Sequence, residues 1–320
     1  MAQSRCRCRG AAILAACTLA GCTPHPRPVP VSLPAPTTTQ WSYRQVKGLQ
    51  IRTEHWVIYT TTTAPKWMDQ LPTFVEGCYE QYQQLMPAPD TSRSLTLYVF
   101  ANGVQWEDFA ATRSVPRTNI DVQAQLGGFT QRDVSAVYDS AAAADVLRAI
   151  AHEGMHQYLW QHCPAEPPMW VGESLATLAE GFEQRGERFV FEPRYNSRRF
   201  EQARLAIQKK WWLDLHDLLT PEGLGKMPNP NVAARTYLAQ LWTLATFLQN
   251  DRQYGKGFEQ MRLDLSSDTF KLKLQGYIAA GPEGLTPGQA AFRLYITEDE
   301  TLFWQRYWDR TIRYLNLVGY

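Results

Sequence analysis

Residues 152–181 read HEGMHQYLWQHCPAEPPMWVGESLATLAEG, and the segments they join decide how the chain is organised. The first segment starts in the alanines after Ser140. Val146, Leu147, Ile150, Ala151, Met155 and Tyr158 recur in it at the spacing of packed helix faces. Asp139 or Ser140 is placed to cap such a helix. On it His152 and His156 lie about 40° apart around the axis and one turn along it, so both imidazoles reach one ion. Glu153 sits beside them, where a carboxylate can take a proton from an attacking water. The bland alternative is a chance grouping on a surface helix. With only 6 histidines in the chain, that grouping is improbable.

A catalytic zinc keeps one position open and takes three protein ligands, so this pair needs a third. Pro167 and Pro168 open a second helical segment that carries Glu173, 17 residues after His156. HEGMHQYL followed by PPMWVGESLATLAEG resembles the peptidase-MA-like gluzincins, including a bacterial group with the pattern HExxHQ, then P-x-W-x-x-E-[GS]-x-A. The resemblance is strong over residues 145–183, weaker through Leu248, and uninformative before Ile51. It implies an α+β fold with a zincin-like mixed sheet and two active-site helices, followed by a mostly helical C-terminal part. It also implies Zn²⁺ held by His152, His156 and Glu173, Glu153 as the base, and a peptide or protein substrate.

Other third ligands are open to the sequence. His162 stands ten residues after His152, the metzincin spacing, but that geometry needs a glycine three residues after the second histidine, and Leu159 is there. Glu180 shares a face with Glu173 about 10 Å further along the axis, which suits a supporting carboxylate better than a ligand. Glu166 lies in the Pro-rich connection. Thermolysin-like gluzincins place an acid one turn after the ligand glutamate to orient a histidine; Thr177 occupies that place, so Asp145 or a backbone carbonyl is expected to do this instead. For the oxyanion donor the resemblance points first to Tyr237 in RTYLAQLW, with Tyr195 and His216 behind it. Gly128 and Phe129, in GGFT, stand where zincins keep an edge strand that binds extended peptide through its backbone. Arg194, Arg198 and Arg199 either meet a substrate carboxylate or form a solvated basic face, the commoner case.

The flanks set the compartment. Arg5, Arg7 and Arg9 precede a short apolar stretch, Ala11 to Ala20, that runs into Leu19-Ala20-Gly21-Cys22. This resembles a bacterial lipobox, so residues 1–21 read as a lipoprotein signal peptide and Cys22 as the lipidated anchor. Thr23 in place of Asp then implies outer-membrane sorting in a Gram-negative cell, facing the periplasm. Residues 22–45 read as a Pro-rich tether, 46–185 as the α/β part with both ligand helices, and 186–320 as the helical part completing a cleft. A formal net charge of +1 argues against nucleic acid as partner. Cys78 and Cys163 are the cysteines left after the leader; a disulfide and two separate thiols are equally open. Strands are expected at 54–62, 95–100, 127–130 and 134–138, helices at 65–85, 238–248 and 301–317, and a loop at 220–231. The rival to an enzyme is a non-catalytic envelope lipoprotein that binds or scaffolds; Glu153 argues against it, because holding zinc needs no base. Nothing fixes the oligomeric state.

Overall fold

A computed structural model describes residues 35–62, 66–89, 91, 93–114, 127–139, 142–220 and 229–317. All of them belong to one compact unit, Pro34–Tyr320. The expected signal peptide, Cys22 and the loop core at 221–228 lie outside the described residues. No helix among the described residues is long and apolar enough to cross a membrane.

The fold is mixed α+β. A six-stranded sheet is built from β1 (Thr37–Tyr43), β2 (Val46–Arg52), β3 (Trp56–Thr60), β4 (Leu95–Phe100), β5 (Gly128–Gln131) and β6 (Val134–Tyr138), in the order β1-β2-β3-β4-β6-β5. The β3–β4 and β4–β6 pairs are parallel and the others antiparallel, so β5 is an edge strand running against its neighbour. The helix α1 (Leu71–Leu85) supplies the crossover between β3 and β4, and α2 (Gly103–Thr112) follows β4.

Period-two alternation assigns each residue of these strands to one of two layers. Trp56, Ile58, Leu95, Leu97, Val99 and Val137 enter the main core with α1 and with α3 (Ala143–His162). Phe100, Phe129, Val134 and Ala136 point the other way, into an aromatic layer with Trp106 and Phe109 of α2. The same alternation turns Gly128, Thr130 and Ser135 toward α3. One consequence for Phe129 and one correction follow. Phe129 is 2% exposed and stacked in the aromatic layer, so its side chain does not face the helix that carries His152. The tether does not extend to residue 45, because Thr37–Tyr43 pairs with β2 along its whole length. Three threonines, Trp41 and Tyr43 are strand formers, and Trp41 packs on Tyr59 and Tyr98.

After α3 the chain turns through Pro167 and Pro168 into α4 (Met169–Ala179). A hairpin follows, β7 (Phe182–Arg185) with β8 (Arg188–Phe191), so the expected boundary at 185/186 falls inside its turn. The rest is helical: α5 (Ser197–Gln208), α6 (Leu215–Leu219), α7 (Pro230–Asn250), α8 (Gly255–Leu265), α9 (Asp268–Ala280), α10 (Pro287–Tyr295) and α11 (Glu300–Tyr314). The main core runs without a break from Trp56 to Tyr307, through Leu238, Leu241 and Trp242 of α7, so the α/β part and the helical part share one core. Trp170, 1% exposed, ties α4 to α10 by donating to the carbonyl of Gly288 and packing on Phe292. Cys78 and Cys163 are both free, and the Cys163 thiol faces the Met86 sulfur instead.

Candidate metal centre

The site is built where α3 crosses β5 and β6 and meets α4. The helix starts at Ala143 with Ala142 as N-cap and no side-chain cap, so Asp139 does not cap it; Ser140 lies outside the described residues. Gly154 lets α3 seat closely, because a Cβ there would strike the Tyr82 hydroxyl and the Trp56 indole. Tyr82 also donates to the Ala151 carbonyl at 2.8 Å. On the sheet side Ser135 donates to the Glu153 carbonyl, and Gln157 donates to the Asp133 carbonyl. These contacts fix the rotation of α3, and with it the direction of His152, Glu153 and His156.

His152 Nε2 lies 3.2 Å from His156 Nε2, and Glu173 Oε2 lies 3.3 and 3.4 Å from the same two nitrogens. Among the described residues these three form the one group of side chains able to hold a metal. His162 is excluded from it, since α3 continues unbroken to His162, whose ring packs on Tyr158. The metzincin arrangement is therefore not formed.

The protonation of the group follows from its surroundings. Glu180, 2% exposed, accepts from Arg199 Nε and Nη2 at 2.8 and 2.6 Å and from Asn196 Nδ2 at 2.9 Å. Burial opposes its ionisation, but the Arg199 charge and the His152 contact win and hold it well below the usual carboxylate range. An ionised carboxylate only accepts, so His152 Nδ1, 2.8 Å away, must be its donor. A neutral His152 then has a bare lone pair on Nε2, pointing at Glu173 Oε2 and His156 Nε2. Glu173 Oε2 is buried and makes no hydrogen bond. His152 Nε2, His156 Nε2 and Glu173 Oε2 therefore face one point, where protons or a cation can balance the charge.

Two observations describe the space and the charge that a cation would meet there. A tetrahedral ion with bonds of about 2.0–2.1 Å separates its ligand atoms by about 3.3–3.4 Å, which the 3.2, 3.3 and 3.4 Å separations match. Glu173 and Glu180 are both held ionised and Arg199 pairs with Glu180, so the Glu173 charge is left for a positive group to offset. With protons alone, His152 supplies part of that positive charge. Burial opposes its protonation, but Glu173 and Glu180 push its pKa up to about 10.

Glu153 stands beside the group without joining it. It is 6% exposed, and burial raises its pKa against the lowering effect of both imidazoles. Its Oε2 lies 2.8 Å from the Thr130 hydroxyl on β5. Gly128 faces the same carboxylate: a Cβ there would come within 3.0 Å of Glu153 Cγ. Tyr237, on α7, is 3% exposed; burial first and the Glu173 charge second raise its hydroxyl pKa, keeping it a proton donor. The other oxyanion candidates are engaged elsewhere. The Tyr195 hydroxyl accepts from Arg185, and His216 meets Gln289 at an exposed site.

The orienting carboxylate corrects the sequence expectation. Asp145 lies 3.5 Å from Arg148 and Arg198 and does not orient a histidine; Glu180 does. Thr177 donates to the Ser174 carbonyl. Arg199, 3% exposed, is no part of a solvated basic face. Asn196 and Thr130 are given no role by the sequence reading, and Arg199 reads there as a substrate contact or surface charge rather than as the partner of Glu180. No protein-family model, curated protein or solved structure matches this chain.

Proposed function

We propose that this chain is a zinc-dependent peptidase of the gluzincin type, hydrolysing peptide bonds at the cell envelope. The observation that carries the reading is the convergence of His152 Nε2, His156 Nε2 and Glu173 Oε2 at tetrahedral spacing, with the carboxylate of Glu153 beside them. The zincin-like reading of the sheet is supported by β5, an antiparallel edge strand lying against the helix with both histidines. Bound there, zinc would supply Lewis acidity toward the substrate carbonyl and a lowered pKa for the attacking water.

The remaining roles belong to the chain's own groups. The edge of β5 takes an extended peptide by backbone hydrogen bonds, and Gly128 lets that strand lie close against Glu153. Glu153 removes a proton from the attacking water and delivers it to the leaving amine. Its raised pKa suits both halves of that transfer, and the Thr130 hydroxyl holds its Oε2 in place. Tyr237 donates to the oxyanion that develops on the carbonyl oxygen. Glu180, braced by Arg199 and Asn196, keeps the His152 lone pair aimed at the metal position. The envelope assignment rests on the Arg-rich leader and the lipobox-like LAGC.

The test is Glu153→Gln against a broad peptide pool. The variant is expected to keep its zinc and lose turnover by several orders of magnitude. Unchanged turnover removes Glu153 as base, and peptides bound but never cut by the wild type point to a binding module.

A further inference from the structure

Near the start of α3, two turns before His152, sits a cluster that the proposed chemistry does not use. Asp145 Oδ1 is shared by Arg148 Nη1 and Arg198 Nη1, each 3.5 Å away. That is too long for the paired geometry in which a guanidinium grips a carboxylate. Arg148 Nε is buried with no hydrogen-bond partner, and its guanidinium lies over the Phe182 ring. Arg198 is mostly buried. Burial first, and then the charge of Arg199, pull its pKa below the usual arginine value, and Arg235 on α7 adds another like charge. Arg199 is already committed to Glu180. Two guanidiniums, Arg148 and Arg198, thus share one half-exposed carboxylate, with hydrogen-bonding capacity left over.

Its place relative to the metal position is set by the helix. Asp145 and His152 are seven residues apart, about 10 Å along the axis and nearly on one face. β5 points the same way: Gly128 lies against Glu153, while a Cβ on Gly127 would sit 3.1 Å from the Cβ of Ala149, one turn nearer the cluster. An extended peptide beside β5 advances about 3.3 Å per residue, so about three residues separate the bond cut from the cluster. Antiparallel pairing with β5 directs the C-terminal side of the peptide toward it.

We propose that Arg148 and Arg198 form a subsite for a substrate carboxylate, about three residues beyond the bond that is cut. The substrate class is then a peptide with a free C-terminal carboxylate, or an acidic side chain, at that distance. This rests on the peptidase reading for the direction of the cleft, but it concerns binding and is measured by binding.

The experiment uses the full-length Glu153→Gln protein, zinc-loaded and immobilised, with three pools of N-acetylated hexapeptides. One pool has free C-termini and no Asp or Glu, one has the same sequences as C-terminal amides, and one is amidated with a single internal Asp or Glu. Mass spectrometry reads what is retained. Enrichment of about tenfold over the plain amides is expected for a carboxylate pool, in line with hydrogen bonds to a charged group. Enrichment of the first pool identifies the chain terminus as the source, and enrichment of the third identifies the side chain. Arg198→Gln should bring the ratio close to one. Asp145→Asn, at a half-exposed position, should raise it by removing the competing anion. Equal retention of all pools, no retention of any, or a ratio indifferent to both substitutions overturns the inference. Hydrolysis of the same pools by the wild type is scored separately: no cleavage with carboxylate enrichment intact would sink the peptidase reading and leave the subsite standing.

Discussion

Glu180→Gln tests the site through a residue that touches neither metal position nor substrate. The carboxylate accepts from His152 Nδ1, Arg199 Nε, Arg199 Nη2 and Asn196 Nδ2, all between 2.6 and 2.9 Å, and is 2% exposed. Glutamine keeps the shape but turns one oxygen into a donor, which must face another donor in every orientation. It also leaves Arg199, 3% exposed, without its counter-charge. Breaking one partner of a buried pair costs about 3–5 kcal/mol. For a unit of this size that lowers Tm by on the order of 10 °C. The second effect is on the metal: loss of the outer carboxylate behind a ligating histidine weakens affinity about 10–100-fold, or about 1.4–2.7 kcal/mol. The assays are thermal unfolding of the metal-free protein and zinc titration against a competing chelator. A fall in both supports the reasoning. A lower Tm with unchanged zinc affinity would reduce Glu180 to a structural role, and no change in either would refute the argument built on the His152 tautomer.

Other outcomes follow from the same geometry. Tyr237→Phe should lower kcat by about 10²–10³, with zinc content unchanged, if its hydroxyl serves the oxyanion; kinetics on any cleaved peptide reads this, and an unchanged kcat removes the role. Gly128→Ala brings a methyl within 2.9 Å of the Ala136 carbonyl oxygen and 3.0 Å of Glu153 Cγ. It should cost about 1–3 kcal/mol of stability by crowding and depress turnover; a fully active, equally stable variant would show that β5 does not press on Glu153. Far from the site, Asp264 is opposed by burial but held below the usual carboxylate range by Lys273, Tyr295 and Gln260. A depressed folded pKa stabilises above the unfolded value of about 3.8 and is lost as pH falls through the folded value. Asp264→Asn should therefore flatten the acid side of the stability–pH curve, as denaturant melts between neutral and acid pH will read.

How much of this was legible in the sequence depends on whether a residue acts along its own element or across to another. Leu95–Phe100 and Val134–Tyr138 announce themselves by alternation, and the two ligand helices by spacing and by Pro167-Pro168. The candidate triad was readable because two members share one helix turn and the resemblance to gluzincins pointed to Glu173 as the third. β1 was hidden by the proline run before it, and its strand character depends on Trp41 finding Tyr59 and Tyr98, a non-local contact. Glu180 reads as a supporting carboxylate on the right face, but without the partner it supports. A spacing of about 10 Å from Glu173 rules out a shared ion, yet one imidazole spans the two carboxylates, meeting Glu173 through Nε2 and Glu180 through Nδ1. The burial of Arg199 against Glu180 is set by how α5 docks, which no local pattern encodes.

The most direct test is zinc stoichiometry of the purified chain, wild type beside Glu173→Ala, with circular dichroism to establish that both are folded. The account predicts close to one zinc per wild-type chain and a sharp loss in the folded variant. Equal zinc in both would contradict the triad of His152, His156 and Glu173, and a folded wild type that takes up no added zinc would contradict the metal centre itself.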